Sequence, residues 1–273
     1  MPGLEAEHWK IEDLDFSRIA LDKVRPDENL FYLVTSASFI ESGSDLYTHN
    51  LVDFFRGDDE VTDWLSNYWE PEELQHGQAL RAYVRHVWPE FEWDTAYRGF
   101  LEEYASYCKV ELLGPTRALE MTARCVVETG TATYYRAMAR ATDEPVLSDL
   151  ATRIATDEVN HYKHFYRFFR RYREQEKLSR FRVIGTIGRR TLELKSEDAD
   201  CAIRHVVKAR SPHRADDTAY VQQLSARMNS TIRTNLSAGS TLKMLMRPLE
   251  LPARVQTVIQ YPIKQFMQHV FLR

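Results

Sequence analysis

Glu73-Leu74-Gln75-His76 and Glu158-Val159-Asn160-His161 repeat one pattern, Glu-x-x-His, in two stretches of helical periodicity. Side chains three positions apart are neighbours on a helix, so each stretch brings a carboxylate and an imidazole to one point in space. Glu41 stands 32 positions ahead of Glu73, and Glu128 stands 30 ahead of Glu158, each near the middle of another helical stretch. The chain therefore carries Glu, Glu-x-x-His twice, as two helix pairs with the same donors at the same places. A third match, Glu5-Ala6-Glu7-His8, lies in a polar stretch with no such company and is taken as chance.

Four glutamates and two histidines converging from four helices make a site for two metal ions. Hard carboxylates with imidazoles suit Fe(II), Mn(II) or Zn(II), and the lack of nearby cysteine pairs argues against an iron–sulfur or structural zinc site. The charges agree: the four glutamates Glu41, Glu73, Glu128 and Glu158 neutralise two divalent ions. Without metal, the same carboxylates crowded into a core would cost several kcal/mol each or take up protons. Glu72 and Asp157 each directly precede a ligand glutamate. Metal-bound histidines usually donate their outer ring N–H to a carboxylate, so Asp157 is expected to orient His76, and Glu72 to orient His161.

Glycine and proline are scarce at 10 each in 273 residues, and strand-like alternation is hard to find. The chain reads as all-α. One helix is expected from about 27 to 55. Another carries Glu73 and His76 to about 87, restarting or kinking at Pro71. Further helices are expected over about 91–112, 116–141 and 146–177. A looser junction follows near Gly185 and Gly188. Helices over about 197–209, 215–236 and 239–247 lead to a tail punctuated by Pro248, Pro252 and Pro262. The domain reading is a helical bundle over 1–182 and a helical extension over 183–273, packed on the bundle or on a partner subunit.

The net charge of −4 argues against a general nucleic-acid binder. No apolar run approaches the roughly 20 residues of a membrane helix, and the acidic start does not resemble a signal peptide. Cys108, Cys125 and Cys201 are odd in number and widely spaced, which fits reduced thiols in a cytoplasmic protein.

Trp69-Glu70-Pro71-Glu72-Glu73-Leu74-Gln75-His76-Gly77 resembles the Trp-x-x-Glu-Glu-x-x-His-Gly motif of soluble acyl-carrier-protein desaturases. Ile154-Ala155-Thr156-Asp157-Glu158-Val159-Asn160-His161 resembles their Ile-Ala-x-Asp-Glu-x-x-His, and Glu128 with Thr131 resembles their Glu-x-x-Thr. The resemblance covers roughly residues 30–175. It implies a ferritin-like four-helix bundle with additional C-terminal helices. It also implies two iron ions on Glu41, Glu73, His76, Glu128, Glu158 and His161, with O2 as co-substrate and Thr131 assisting proton delivery. The implied reaction removes hydrogen from an unactivated C–H bond of an acyl chain. Electrons would come from a ferredoxin-like donor, the substrate would ride on acyl carrier protein, and the enzyme would be a homodimer. Two alternatives stay open: a di-iron monooxygenase or N-oxygenase of a small metabolite, and a ferroxidase or iron-storage protein.

Other residues are weighed beside these. His164 follows His161 by three positions and reads as an outer or solvated imidazole, and Tyr134, Tyr135 and Tyr162 read as packing. Cys125 and Ala132 either leave room for a substrate beside the metals or allow close helix packing. The arginines at 167, 170, 171, 173, 180 and 182, with Lys177, form a basic stretch suited to an acidic carrier protein or to a solvated helix end.

Overall fold

The computed structural model describes residues 8–193 and 197–252, and every regular element among them is helical. Glu5 and the tail beyond Pro252, Pro262 included, lie outside the described residues. In chain order the helices are α1 (Leu21–Val24), α2 (Glu28–Ser42), α3 (Ser44–Phe54), α4 (Asp59–Trp64), α5 (Glu70–Val87), α6 (Trp93–Tyr104), α7 (Arg117–Ala141), α8 (Pro145–Glu176), α9 (Arg180–Glu193), α10 (Glu197–Arg210), α11 (Thr218–Thr234) and α12 (Ala238–Met246). No helix among the described residues is long and apolar enough to cross a membrane.

Side-chain caps set many of the starts. Asp27 accepts from Leu30 N at the head of α2, Thr116 from Leu119 N at α7, and Asp217 from Tyr220 N at α11. Glu144 accepts from both Val146 N and Leu147 N, with Pro145 in the first turn of α8, where a missing N–H costs nothing. Lys177, in the left-handed region at φ 49°, ends α8.

Four expectations need correction. The single helix over 27–55 is two, because it breaks at Gly43. That residue is the poorest helix former short of proline, and the Tyr104 ring lies 3.4 Å from where its Cβ would stand. The chain does not restart at Pro71. A π-helical turn over Leu65–Trp69 carries α4 directly into α5, with Glu70 N bonded to Leu65 O, and Pro71 falls in the first turn of α5. The helix expected to reach 112 stops at Tyr104, because Tyr107 and Cys108 fold back onto the core. Gly185 and Gly188 lie within α9, which is continuous across residue 183. Its buried Val183 and Thr186 hold that face down, and both glycines look onto open space.

The helices carrying the four glutamates and two histidines pack as two pairs, α2 with α5 and α7 with α8, and α5 also meets α8. The later helices lie on this assembly: α10 on α2 and α6, and α9, α11 and α12 on α7. Two apolar clusters supply the core. The larger includes Trp9, Phe31, Phe39, Tyr83, Trp88 and Phe100; the smaller includes Leu65, Trp69, Phe165, Phe168 and Phe169. Each such side chain contributes roughly 1.5–3 kcal/mol on burial. Trp9 of the larger cluster stacks on His76, Trp69 of the smaller stands edge-on to His161, and the two imidazoles are 6.0 Å apart. The clusters therefore meet at these histidines.

Candidate metal centre

Six polar side chains lie where the two clusters meet. Glu41 comes from α2, Glu73 and His76 from α5, Glu128 from α7, and Glu158 and His161 from α8; all are buried. They form two overlapping groups. Donor atoms of Glu41, Glu73, His76 and Glu158 lie within 4.8 Å of one another, as do those of Glu73, Glu128, Glu158 and His161. Glu73 and Glu158 belong to both.

One close approach brings α2 and α5 together. A Cβ on Gly77 would stand 2.6 Å from the backbone nitrogen of Ser42 and 2.8 Å from its Cα. Only glycine fits between His76 and the neighbouring helix at this depth, and Ser42 directly follows Glu41.

The histidines are held from outside. His76 Nε2 is 3.0 Å from Asp157 Oδ2, and His161 Nε2 is 2.7 Å from Glu72 Oε2. Each bond crosses from one ligand helix to the other. With Nε2–H donated outward, both Nδ1 atoms turn inward. His76 Nδ1 lies 3.4 Å from Glu158 Oε1, and His161 Nδ1 lies 3.0 Å from Glu73 Oε1. Neither makes a hydrogen bond, nor do the buried Glu128 Oε2 and Glu158 Oε1. Buried polar atoms are seldom left unpaired. Here four of them face a common centre, as donors around a metal ion would.

The carboxylates are oriented too. Tyr135 Oη donates to Glu41 Oε1 at 2.5 Å, and Thr131 Oγ1 donates to Glu158 Oε2 at 2.5 Å. Burial, reinforced by the charges of Glu73 and Glu158, pushes Glu41 well above the usual carboxylate range. Burial and Glu158 do the same to Glu128. Burial alone would lower the imidazoles. The bond to Asp157 and the adjacent Glu158 instead hold His76 well above its ordinary value, and Glu128, Glu72 and Glu73 act likewise on His161. Glu158 goes the other way: burial opposes its charge, but His76 and His161 keep it ionised.

His8 and Trp9, at the start of the described residues, reach this centre. Trp9 Nε1 donates to Asp157 Oδ2 at 2.6 Å, the same oxygen that faces His76, and its ring stacks on His76 at 6.1 Å. His8 Nδ1 lies 2.7 Å from Glu72 Oε1. Two consecutive residues thus hold the two outer carboxylates. Spacing gave no sign of this; a lone tryptophan in a polar stretch was the one available clue. Tyr135, read as packing, contacts a ligand glutamate, whereas Tyr134 and Tyr162 bond to backbone carbonyls of Leu33 and Met244.

His164 stacks on Trp64 at 4.9 Å and joins neither group. Cys125 and Ala132 are buried, and neither lines a described pocket. The basic stretch is largely engaged within the chain: Arg167 and Arg171 with Glu60, and Arg170 and Arg173 with Glu250.

Comparison of the chain with protein-family models, with curated proteins and with solved structures gives no match.

Proposed function

We propose that this chain is a carboxylate-bridged di-iron oxidoreductase that uses O2, built on a ferritin-like bundle of α2, α5, α7 and α8. One observation carries the reading: two buried imidazoles, each tied through Nε2 to an outer carboxylate, turn unpartnered Nδ1 atoms onto a cluster of four glutamates. Glu73 and Glu158, which belong to both donor groups, would help hold both ions. Glu41 and His76 would complete one position, and Glu128 and His161 the other. Two ferrous ions held there would supply electrons to O2 and with them the oxidising power to attack an unactivated C–H bond.

The chain's own residues prepare the site. Asp157 and Glu72 fix the imidazole rings, Tyr135 orients Glu41, and the Thr131 hydroxyl donates a hydrogen bond to Glu158 Oε2. Trp64, Trp69 and Phe165 wall the His161 side and exclude water. Electrons come from a separate donor such as a ferredoxin.

The motif resemblance favours an acyl chain on its carrier protein as substrate, and desaturation as the reaction. A second reading, oxygenation of a small untethered metabolite, is favoured by the pairing of Arg167, Arg170, Arg171 and Arg173 with acids of their own chain, which leaves fewer cations to steer an acidic carrier. Anaerobic Fe(II) loading followed by O2 tests the shared claim. The expected result is two irons per chain, oxidised on exposure. Binding of less than one iron, unchanged in Glu73→Ala, would overturn it. Product analysis with acyl carrier protein and free acids then separates an alkene from an alcohol or N-oxide.

A further inference from the structure

A second set of donors lies away from the Glu/His centre, between α6 and α10. Cys201 and His205 are four positions apart on α10 and so share a face. Glu103, near the end of α6, stands opposite them. A ligand atom from each of the three lies within 4.8 Å of the others. Cys201 is fully buried and in no disulfide. His205 Nε2 is 2.8 Å from Glu103 Oε2, while Glu103 Oε1 accepts from Arg204 at 2.5 Å and from Tyr107 at 2.9 Å. Gly99, one turn before Glu103, makes room for the ring: a Cβ there would come 3.3 Å from His205 Nδ1.

We propose that Cys201, His205 and Glu103 form a mononuclear zinc-class site that fastens α10 to α6. A thiolate, an imidazole and a carboxylate are a known tetrahedral donor set for zinc, with water in the fourth position. The Glu103 side chain, 36% exposed, gives that water access, while the 14% exposed His205 and the buried thiol form the floor. The ion displaces the thiol proton, and the imidazole proton between Nε2 and Oε2 moves to Nδ1, leaving Nε2 as the ligand. The ion's charge is matched by the thiolate and Glu103. Arg204 and Tyr107 remain on Oε1 and fix the carboxylate, as outer partners of metal ligands do. Sulfur also separates the two sites. The Glu/His centre offers only oxygen and nitrogen, so a borderline-soft ion is drawn to Cys201 and a harder one to the glutamates.

Cobalt(II) is the probe, because thiolate ligation gives it an intense near-ultraviolet charge-transfer band that oxygen and nitrogen ligands do not. The full-length chain, stripped of metal and titrated with Co(II), should develop this band to an end point of one equivalent. Cys201→Ser should abolish it, His205→Gln should weaken cobalt binding at that step, and Cys125→Ser and Cys108→Ser should leave it intact. Absence of the band in the unmodified chain, or its survival in Cys201→Ser, would overturn the proposal and leave an ion-pair network. If Cys201→Ser fails to fold, X-ray absorption on the unmodified chain at one zinc decides. One sulfur at about 2.3 Å supports the site, and a shell of nitrogen and oxygen alone refutes it.

Discussion

Gly77→Ala is the sharpest test of how the centre is assembled. In an ordinary helix this change stabilises by about 1 kcal/mol, because alanine is the better helix former. At this position the new Cβ would meet Ser42 N and Oγ at 2.6 Å and Ser42 Cα at 2.8 Å. Carbon contacts are normally about 3.5–4.0 Å, so α2 and α5 must part by about 1 Å, and backbone cannot rotate away as a side chain can. Overpacking of this kind costs typically 1–3 kcal/mol, which cancels or exceeds the propensity gain. The shift also falls on the residue after Glu41 and draws that ligand away from His76. Gly188→Ala is the internal control, since nothing lies within 4 Å of its Cβ and it sits inside α9. Thermal unfolding and ferrous-iron stoichiometry should be measured on both variants. Gly188→Ala should raise Tm by on the order of 2–4 °C and keep its metal. Gly77→Ala should show no gain or a loss in Tm, and its iron binding should weaken most at the position held by Glu41. A Gly77→Ala chain that gains stability and binds iron normally would refute the reasoning.

Further outcomes follow from the same geometry. Asp157→Ala removes the acceptor of both His76 and Trp9, and should lower metal affinity by about 10–100-fold, as read by chelator competition. Tyr135→Phe removes the donor to Glu41. The acceptor left unpaired costs about 1–3 kcal/mol, and the loss should appear in the Tm of the apo chain. Glu41, Glu128, His76 and His161 all have raised folded-state values, so their stabilising effect is fully present below the ordinary values and is lost as pH rises through the raised ones. The Tm of the metal-free chain should therefore fall as pH rises above the ordinary values, first of the glutamates on the acid side and then of the histidines near neutrality, and metal should abolish the fall; a flat apo profile would contradict this. For the same reason metal uptake should release protons and tighten with rising pH, which calorimetry in buffers of different ionisation enthalpy would detect.

The helical class and the converging glutamates and histidines were legible because both follow from period. Glu73 with His76 and Glu158 with His161 sit at i and i+3, and no tertiary knowledge is needed to put them on one face. Glu72 and Asp157 were legible as neighbours of ligands. The parts that period could not reach are long-range. Trp9 meets Asp157 across 148 positions, and a lone tryptophan in a polar stretch names no such partner. Tyr135 is one of 14 tyrosines, and only its seat above Glu41 separates it from the rest. The break falls at Gly43, a residue of poor helix propensity, and the π turn over Leu65–Trp69 that carries α4 into α5 ahead of Pro71 leaves no mark in the periodicity.

The placement of the indoles has a practical consequence. Of the five tryptophans, Trp9, Trp64 and Trp69 have rings 6.1–6.4 Å from a ligand imidazole, while Trp88 and Trp93 lie in the larger apolar cluster among other partners. A paramagnetic ion at the centre would quench the first three through this proximity. With Trp9 beside His76 and Trp64 and Trp69 beside His161, metal binding at the centre would be reported by the chain's own fluorescence.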